Sequence, residues 1–279
     1  MNSKKKISHL KPVLKWVGGK RQLLSEILPL IPSDYSKYCE PFIGGGAVLL
    51  AHQPTHAVIN DYNPELINVY MTIRDNLEEL LELLKKHESK NSSEYFYEVR
   101  AMDRTPEFSD LNNIARAARV MYLNKTCFNG LFRVNSLGQL NVPYGKYKKP
   151  NIVNEESLRA LSEYLNGDIE LCCGDYAVVL ASLPENSFVY LDPPYMPISQ
   201  TSAFTGYTQV GFNYDEQVRL RDECLKLKER GIHFVQSNSG CEAIYDLYKD
   251  FDIKIVKAKR SINAKGDGRG AVDEVLISG

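Results

Sequence analysis

"YCEPFIGGGAVLLAHQPTHAVIND", residues 38–61, decides the fold. It divides into an extended "YCEPF", a glycine turn, a short apolar helix "AVLLAH" and a second extended run, "HAVIND", that ends in an acid. Strand, turn, helix, strand is the repeating unit of an α/β sheet. Moving outward, Pro64 suits the first turn of a helix, and apolar spacing predicts that this helix continues to about Lys86. Residues 90–165 break the alternation and read as helices and loops. Ile114, Ala117, Ala118, Met121 and Tyr122 fall at helical spacing and are expected to face a core. A polar, aromatic stretch at 124–150 has no period. Alternation resumes at "IELCCGD" (169–175) and continues through "FVYLD" (188–192), a helix near Asp215–Arg230 and "HFVQSN" (233–238). "DIKIVKA" and "VDEVLIS" add two strands joined by a Gly- and Lys-rich loop. The expectation is an open α/β sheet domain over 1–70 and 166–279, with a helical module inserted at 71–165.

Ligands of open α/β sheets sit at the carboxyl ends of the strands. Three of the expected strands end in acids, Asp61, Asp175 and Asp192. A fourth runs into Gly44, Gly45 and Gly46, where backbone can approach a ligand or simply turn tightly. Asp61 follows those glycines at the distance of a ribose-binding carboxylate in nucleotide folds. In "VYLDPPYMP" (189–197), Pro193 and Pro194 cannot donate ladder hydrogen bonds, so the strand stops at Asp192. The result is a carboxylate, a Pro193 carbonyl and the Tyr195 ring on a stiff turn. A strand-ending cap is the plainer reading of the same residues. In "LKWVGGKRQLL" (14–24), Trp16 is the single tryptophan. It reads either as a core anchor beside a turn or, with Lys20, as an aromatic-and-lysine clamp on a charged ligand.

Composition bounds the possibilities. A chain of 279 residues, 43% hydrophobic and 25% charged, suits a large domain or a core domain with an insertion. Lys4, Lys5 and Lys6 precede no long apolar run, so neither a signal peptide nor a membrane span is expected. The six cysteines show no CxxC, which points to a reducing cytoplasm. His52 and His56 flank Pro54 and no third ligand is evident, so no metal site is expected. The net charge of −1 conceals segregation: residues 111–150 carry seven Lys and Arg and no acid, Lys4–Arg21 is all basic, and Lys254–Arg269 nearly so. Such segments suit a polyanion if they converge.

In this order, "KWVGGK", "PFIGGGAV", Asp61 and "LDPPY" resemble the Dam-type DNA adenine-N6 methyltransferases. The central "YLNKTCFNGLFRVNSLGQLNVPYGKYKKP" and the late "KAKRSINAKGDGR" are similar to that family too, so the resemblance spans essentially the whole chain. Its nearest type is the DpnII-type GATC methylase, with the α arrangement that puts the recognition segment between the glycine loop and DPPY. The resemblance implies a Rossmann-like methyltransferase sheet with an inserted DNA-recognition domain, S-adenosylmethionine as donor, no metal, and double-stranded DNA as partner. By carry-over, Trp16 and Lys20 contact the donor, Phe42 to Gly46 wrap it (Gly44 and Gly46 included), Asp61 holds its ribose, and Asp175 lies near its adenine. Asp192 borders the donor and, with the Pro193 carbonyl, accepts hydrogen bonds from the target amino group. Pro194 stiffens the turn and Tyr195 stacks on a flipped adenine. Phe128, Asn129 and Arg133 match the DNA-reading loop. Arg133 reads as a bidentate guanine contact or as a phosphate contact, while Lys146, Lys148 and Lys149 read as phosphate grips.

Rival readings change the target to cytosine N4 or RNA, or remove the chemistry and leave a noncatalytic DNA-binding module; the intact DPPY weighs against the latter. Cytosine-C5 transfer needs a cysteine nucleophile, and none of the six cysteines follows a proline. A nicotinamide oxidoreductase lacks its GxGxxG fingerprint.

Overall fold

The computed structural model describes residues 7–197, 212–259 and 271–279. Lys4–Lys6 and most of the basic loop in "KAKRSINAKGDGR" lie outside them. Among the described residues seven strands form one sheet: β1 (Tyr38–Glu40), β2 (His56–Asp61), β3 (Asp168–Cys173), β4 (Phe188–Leu191), β5 (His233–Ser239), β6 (Asp252–Lys259) and β7 (Ala271–Ser278). Their order is β3-β2-β1-β4-β5-β7-β6. β1 runs parallel to β2 and β4, and β4 parallel to β5, whereas β7 is antiparallel to both β5 and β6. This is the sheet expected from the alternation, closed by the two terminal strands. β4, "FVYL", is buried at every residue, which is why it reads as an unbroken apolar run.

Among the described residues ten α-helices accompany the strands: α1 (Leu24–Ile27), α2 (Ala47–His52), α3 (Pro64–Asp75), α4 (Leu77–Lys90), α5 (Ser93–Ala101), α6 (Asn113–Thr126), α7 (Glu155–Leu165), α8 (Tyr176–Ser182), α9 (Tyr214–Glu229) and α10 (Glu242–Leu247). The single helix expected over 64–86 is two. Asn76, at φ −137° and ψ 40°, ends α3 by donating its N–H to Thr72 and begins α4. Its side chain makes no cap bond to α4, so the break lies in its backbone conformation, at a residue type of low helix propensity that apolar periodicity does not reveal. Asn63 caps α3 at the other end, accepting from the N–H groups of Glu65 (3.0 Å) and Leu66 (3.3 Å), with Pro64 in the first turn as expected.

The chain forms two compact units. The first comprises Met1–Gly19, Gly44–Thr55 and Asp61–Gly174. Its core centres on α6, which packs against α3, α4 and α5. Ala117, Ala118, Met121 and Tyr122 are buried there as their spacing predicts; Ile114 is half-buried. Arg119 is buried too, which the apolar pattern did not foretell. The segment 71–165 lies wholly inside this unit. The second unit comprises Lys20–Ile43, His56–Asn60 and Asp175–Gly279. Within it α9 packs on β5 and on α8.

Candidate active site

In the second unit, β4 delivers Asp192 at its carboxyl end, and the prolines stop the ladder as expected. Asp192 Oδ1 accepts from the Lys20 ammonium at 2.8 Å and from the Ser237 hydroxyl at 2.9 Å. Lys20 is almost wholly buried, its side chain 6% exposed, while that of Asp192 is 23% exposed. Among the described residues no partner is bonded to Asp192 Oδ2. The Lys20 ammonium also lies over the Tyr195 ring, 4.6 Å from its centroid, as a cation–π contact. Tyr195 donates its hydroxyl to Glu274 Oε2 of β7 at 2.7 Å. Burial, with Asp192 and Glu274 nearby, holds that phenol well above its ordinary pKa, so it remains a hydrogen-bond donor. Pro193 is buried and Pro194 exposed.

Phe42 and Asp175 also belong to the second unit and meet through Tyr176. The Phe42 and Tyr176 rings lie 5.0 Å apart, and the Arg219 guanidinium sits 4.8 Å from the Tyr176 centroid. Arg219 in turn pairs with Asp175 Oδ1 at 2.8 Å. The same oxygen caps α8 by accepting from the Ala177 N–H at 2.8 Å.

The first unit gathers Trp16, the glycine loop and Asp61. Asp61 accepts the Gly44 N–H on Oδ2 (3.1 Å) and the Asn63 N–H on Oδ1 (3.0 Å). Burial raises this carboxyl's pKa, and hydrogen bonds from the Asn63, Gly44 and Tyr62 N–H groups pull it back. Gly44 has φ +48°, and a Cβ there would stand 2.8 Å from Trp16 Cδ1, so glycine is required for the backbone to lie against the indole. Tyr70 secures the loop by donating to the Gly44 carbonyl at 2.9 Å. Gly46, at φ 68°, begins α2. Trp16 is stacked on Phe132, with centroids 5.2 Å apart and planes at 21°. A packed indole beside a turn is thus present, and it borders the glycine loop whose Gly44 N–H is bonded to the acid.

All six residues expected at DNA lie on the stretch 128–149 of this unit. Phe128 is 52% exposed, and Asn129, Arg133, Lys146, Lys148 and Lys149 are exposed. The stretch folds back on itself through bridges between Cys127 and Tyr144 and between Val134 and Leu140. Arg133 Nε donates to Asn141 Oδ1 at 3.0 Å, which orients the guanidinium along the hairpin. Among the described residues no carboxylate pairs with it.

Sequence reasoning passed over several neighbours. Asn124, 3% exposed, joins Lys15 to the Phe128 loop: it accepts the Lys15 N–H (2.9 Å) and donates to the carbonyls of Lys15 (2.8 Å) and Gly130 (3.1 Å). Ser237, Asn238, Gln217 and Glu274 around the DPPY turn were also passed over. The available signal was the polar run "QSNS" closing a strand buried at six of its seven residues.

No described helix is long and apolar enough to cross a membrane. No cluster of three or more metal-ligating side chains occurs among the described residues. Residues 16–262 match the D12 class N6 adenine-specific DNA methyltransferase family. Type II methyltransferase M1.LlaDCHI of Lactococcus lactis subsp. cremoris is 47% identical over 97% of this chain and 95% of its own. Type II methyltransferase M.MjaIII of Methanocaldococcus jannaschii is 40% identical over 96% and 98%. The DNA adenine methylase of Escherichia coli K12 is 33% identical over 94% and 93%. The chain therefore belongs to the D12 class of N6 adenine-specific DNA methyltransferases.

Proposed function

We propose that the chain methylates adenine N6 in double-stranded DNA at GATC, on a base rotated out of the helix, with S-adenosylmethionine as donor. The observation that carries the chemistry is the asymmetry of Asp192: Oδ1 takes both Lys20 and Ser237, while Oδ2 has no partner among the described residues. An adenine amino nitrogen is a poor nucleophile because its lone pair is delocalised into the ring. Accepting its hydrogens on Asp192 Oδ2 and the Pro193 carbonyl favours the pyramidal nitrogen of the transition state. The acceptors are already fixed, so little reorganisation is needed at that moment. Tyr195 offers a ring for the target base to stack upon, and the Lys20 ammonium covers part of it, favouring the rest. A stacked base cannot reach a turn at the end of a sheet, hence the extrusion.

The donor set suits a nucleoside sulfonium. When bound, S-adenosylmethionine supplies an electrophilic methyl group. Asp61 keeps lone-pair capacity for ribose hydroxyls beyond its backbone bonds. Gly44 and Gly46 keep the loop open to close approach. Trp16, Phe42, Lys20 and Asp175 complete the set we assign to donor binding. We assign 1–70 and 166–279 to catalysis and 71–165 to target recognition, with Phe128 as the wedge, Asn129 and Arg133 as readers, and Lys146, Lys148 and Lys149 on phosphates. Cytoplasmic DNA is the substrate this reading requires.

Plasmid treated with the protein and donor should become resistant to a GATC-cutting nuclease blocked by N6-methyladenine, yet stay sensitive to one indifferent to it. Cleavage by both, with N6-methyladenine present in the nucleoside digest, would move the target to another sequence.

A further inference from the structure

β5 is buried, yet its last four residues are Gln236, Ser237, Asn238 and Ser239, each no more than 3% exposed. Buried polar groups are costly unless bonded, so such a run needs partners. Two of these residues, with Gln217 of α9 (0% exposed), bond the backbone that leaves Asp192. Gln217 Nε2 donates to the Pro194 carbonyl at 2.9 Å. Gln217 Oε1 accepts from Asn238 Nδ2 at 3.0 Å. Asn238 Oδ1 accepts from the Met196 N–H at 3.1 Å and the Ser239 N–H at 2.9 Å. Ser239 Oγ returns to the Met196 carbonyl at 2.7 Å. The two side-chain amides thus bridge the peptide groups on either side of Tyr195.

The direction of this relay is forced from its ends. A carbonyl only accepts and an N–H only donates, so Pro194 requires the amino side of Gln217 and Met196 requires the oxygen of Asn238. The middle bond can then run only one way. We propose that Gln217 and Asn238 are positioning residues: a directional amide relay that sets the backbone around Tyr195, and through it the Pro193 carbonyl and the ring, for the methyl-transfer step. The proposal rests on the catalytic reading of the Asp192–Tyr195 turn.

A carboxyl replacing either amide keeps the shape but donates only while protonated. In a buried site its pKa is raised, by up to several units, into the range of ordinary assays. Among the described residues the other ionisable groups flanking the relay are Asp192 with Lys20, Tyr195 with Glu274, Glu216 and Arg219 on α9, Cys241 against Ser239, and Tyr190 against Ser237. They are common to wild type and variant, so the ratio of the two isolates the introduced carboxyl.

The experiment measures kcat by transfer of labelled methyl to duplex DNA, at saturating donor, from about pH 6 to about pH 9, with a melting curve at each pH. For Gln217→Glu the ratio of variant to wild-type kcat should be near one at the acid end. It should fall about ten-fold or more at the alkaline end, the cost of leaving a buried carbonyl without its donor. Donor Kd should track the wild type. Melting temperature should fall below it toward the alkaline end, because a carboxyl whose folded pKa is raised destabilises the fold as pH rises, but the variant must remain folded at each assay temperature. Asn238→Asp, which places the same switch at the next link, is read in the same way should the first variant not fold. A ratio flat across pH in a folded variant, at any level of activity, overturns the relay. Asp192→Asn is the control for the underlying reading: loss of transfer with duplex binding retained supports it. Substantial turnover by Asp192→Asn overturns that reading, whatever the relay variants do.

Discussion

Arg133 is exposed on the hairpin, and Asn141 holds its Nε edge. Nη2 makes only a long contact to the Asn141 carbonyl (3.5 Å) and Nη1 has no partner among the described residues, so a small movement frees a fork for guanine O6 and N7, a pairing worth about 1–3 kcal/mol of discrimination. Arg133→Ala should therefore lower kcat/KM on the cognate duplex far more than on duplexes altered at one guanine. An equal loss on every duplex, at fixed salt, would make it a phosphate contact. His87 poses a different single-residue question. It stacks on Tyr122 at 4.9 Å and bonds the Tyr95 hydroxyl at 2.8 Å, and burial lowers its pKa from 6.5 to about 4. The unfolded chain takes up this proton near pH 6.5, whereas the folded chain takes it up only near pH 4. Stability from neutral His87 is therefore complete above pH 6.5 and declines as pH falls toward 4, by no more than about 1.4 kcal/mol per pH unit. His87→Phe should flatten the fall in urea midpoint between pH 7 and pH 5 relative to wild type.

At the scale of elements, the hairpin at 134–140 is tied to a buried ion pair. Arg119 Nη2 meets Asp103 Oδ2 at 2.8 Å, with side chains only 6% and 9% exposed, and the same oxygen accepts the Leu140 N–H at 2.8 Å. Arg119 also donates to the carbonyls of Val99 and Arg100. Arg119→Met would leave a desolvated carboxylate without one of its cations, remove the side-chain donor to the Val99 carbonyl and leave the Arg100 carbonyl with Arg104 alone as a side-chain donor. A loss of about 3 kcal/mol or more in urea unfolding is expected. Such elements divide what could be read in the chain from what could not. β1, α2, β2, β4 and the β6–β7 pair were legible because each has a local signature of period, glycine or proline. The turn at Asp192 was legible because two prolines admit few conformations. Asn76 hid its break because its effect is a local backbone conformation and not a change of period. Gln217, Asn238 and Glu274 were hidden because their partners are backbone groups, a hydroxyl and one another's amides, 21 to 79 residues away, and no periodicity encodes such distances.

For the molecule as a whole, a net charge of −1 predicts little attraction to a polyanion, so affinity must come from charge segregation. DNA binding should weaken linearly in log K against log salt. Replacing Lys148 and Lys149 together by alanine should reduce that slope by about 1.8, close to 0.9 for each phosphate released, with equal loss on cognate and unrelated duplexes. The strand order has a further consequence, in time. Register places Tyr38 of β1 beside Phe188 of β4, about 150 residues along the chain, whereas Ile255 and Val275 of the β6–β7 pair are about 20 apart. The centre of the sheet is therefore the most expensive loop to close, and its closure becomes cheaper once Asp61–Gly174 has contracted. Two halvings of the effective loop are worth roughly 1 kcal/mol, a several-fold change in rate if the transition state contains that pairing. Weakening the first unit with Arg119→Met should thus delay amide protection at Val189 during refolding while Val275 gains it on schedule, in pulsed hydrogen exchange. Simultaneous protection of the two would mean that the sheet forms without waiting for the segment between its central strands.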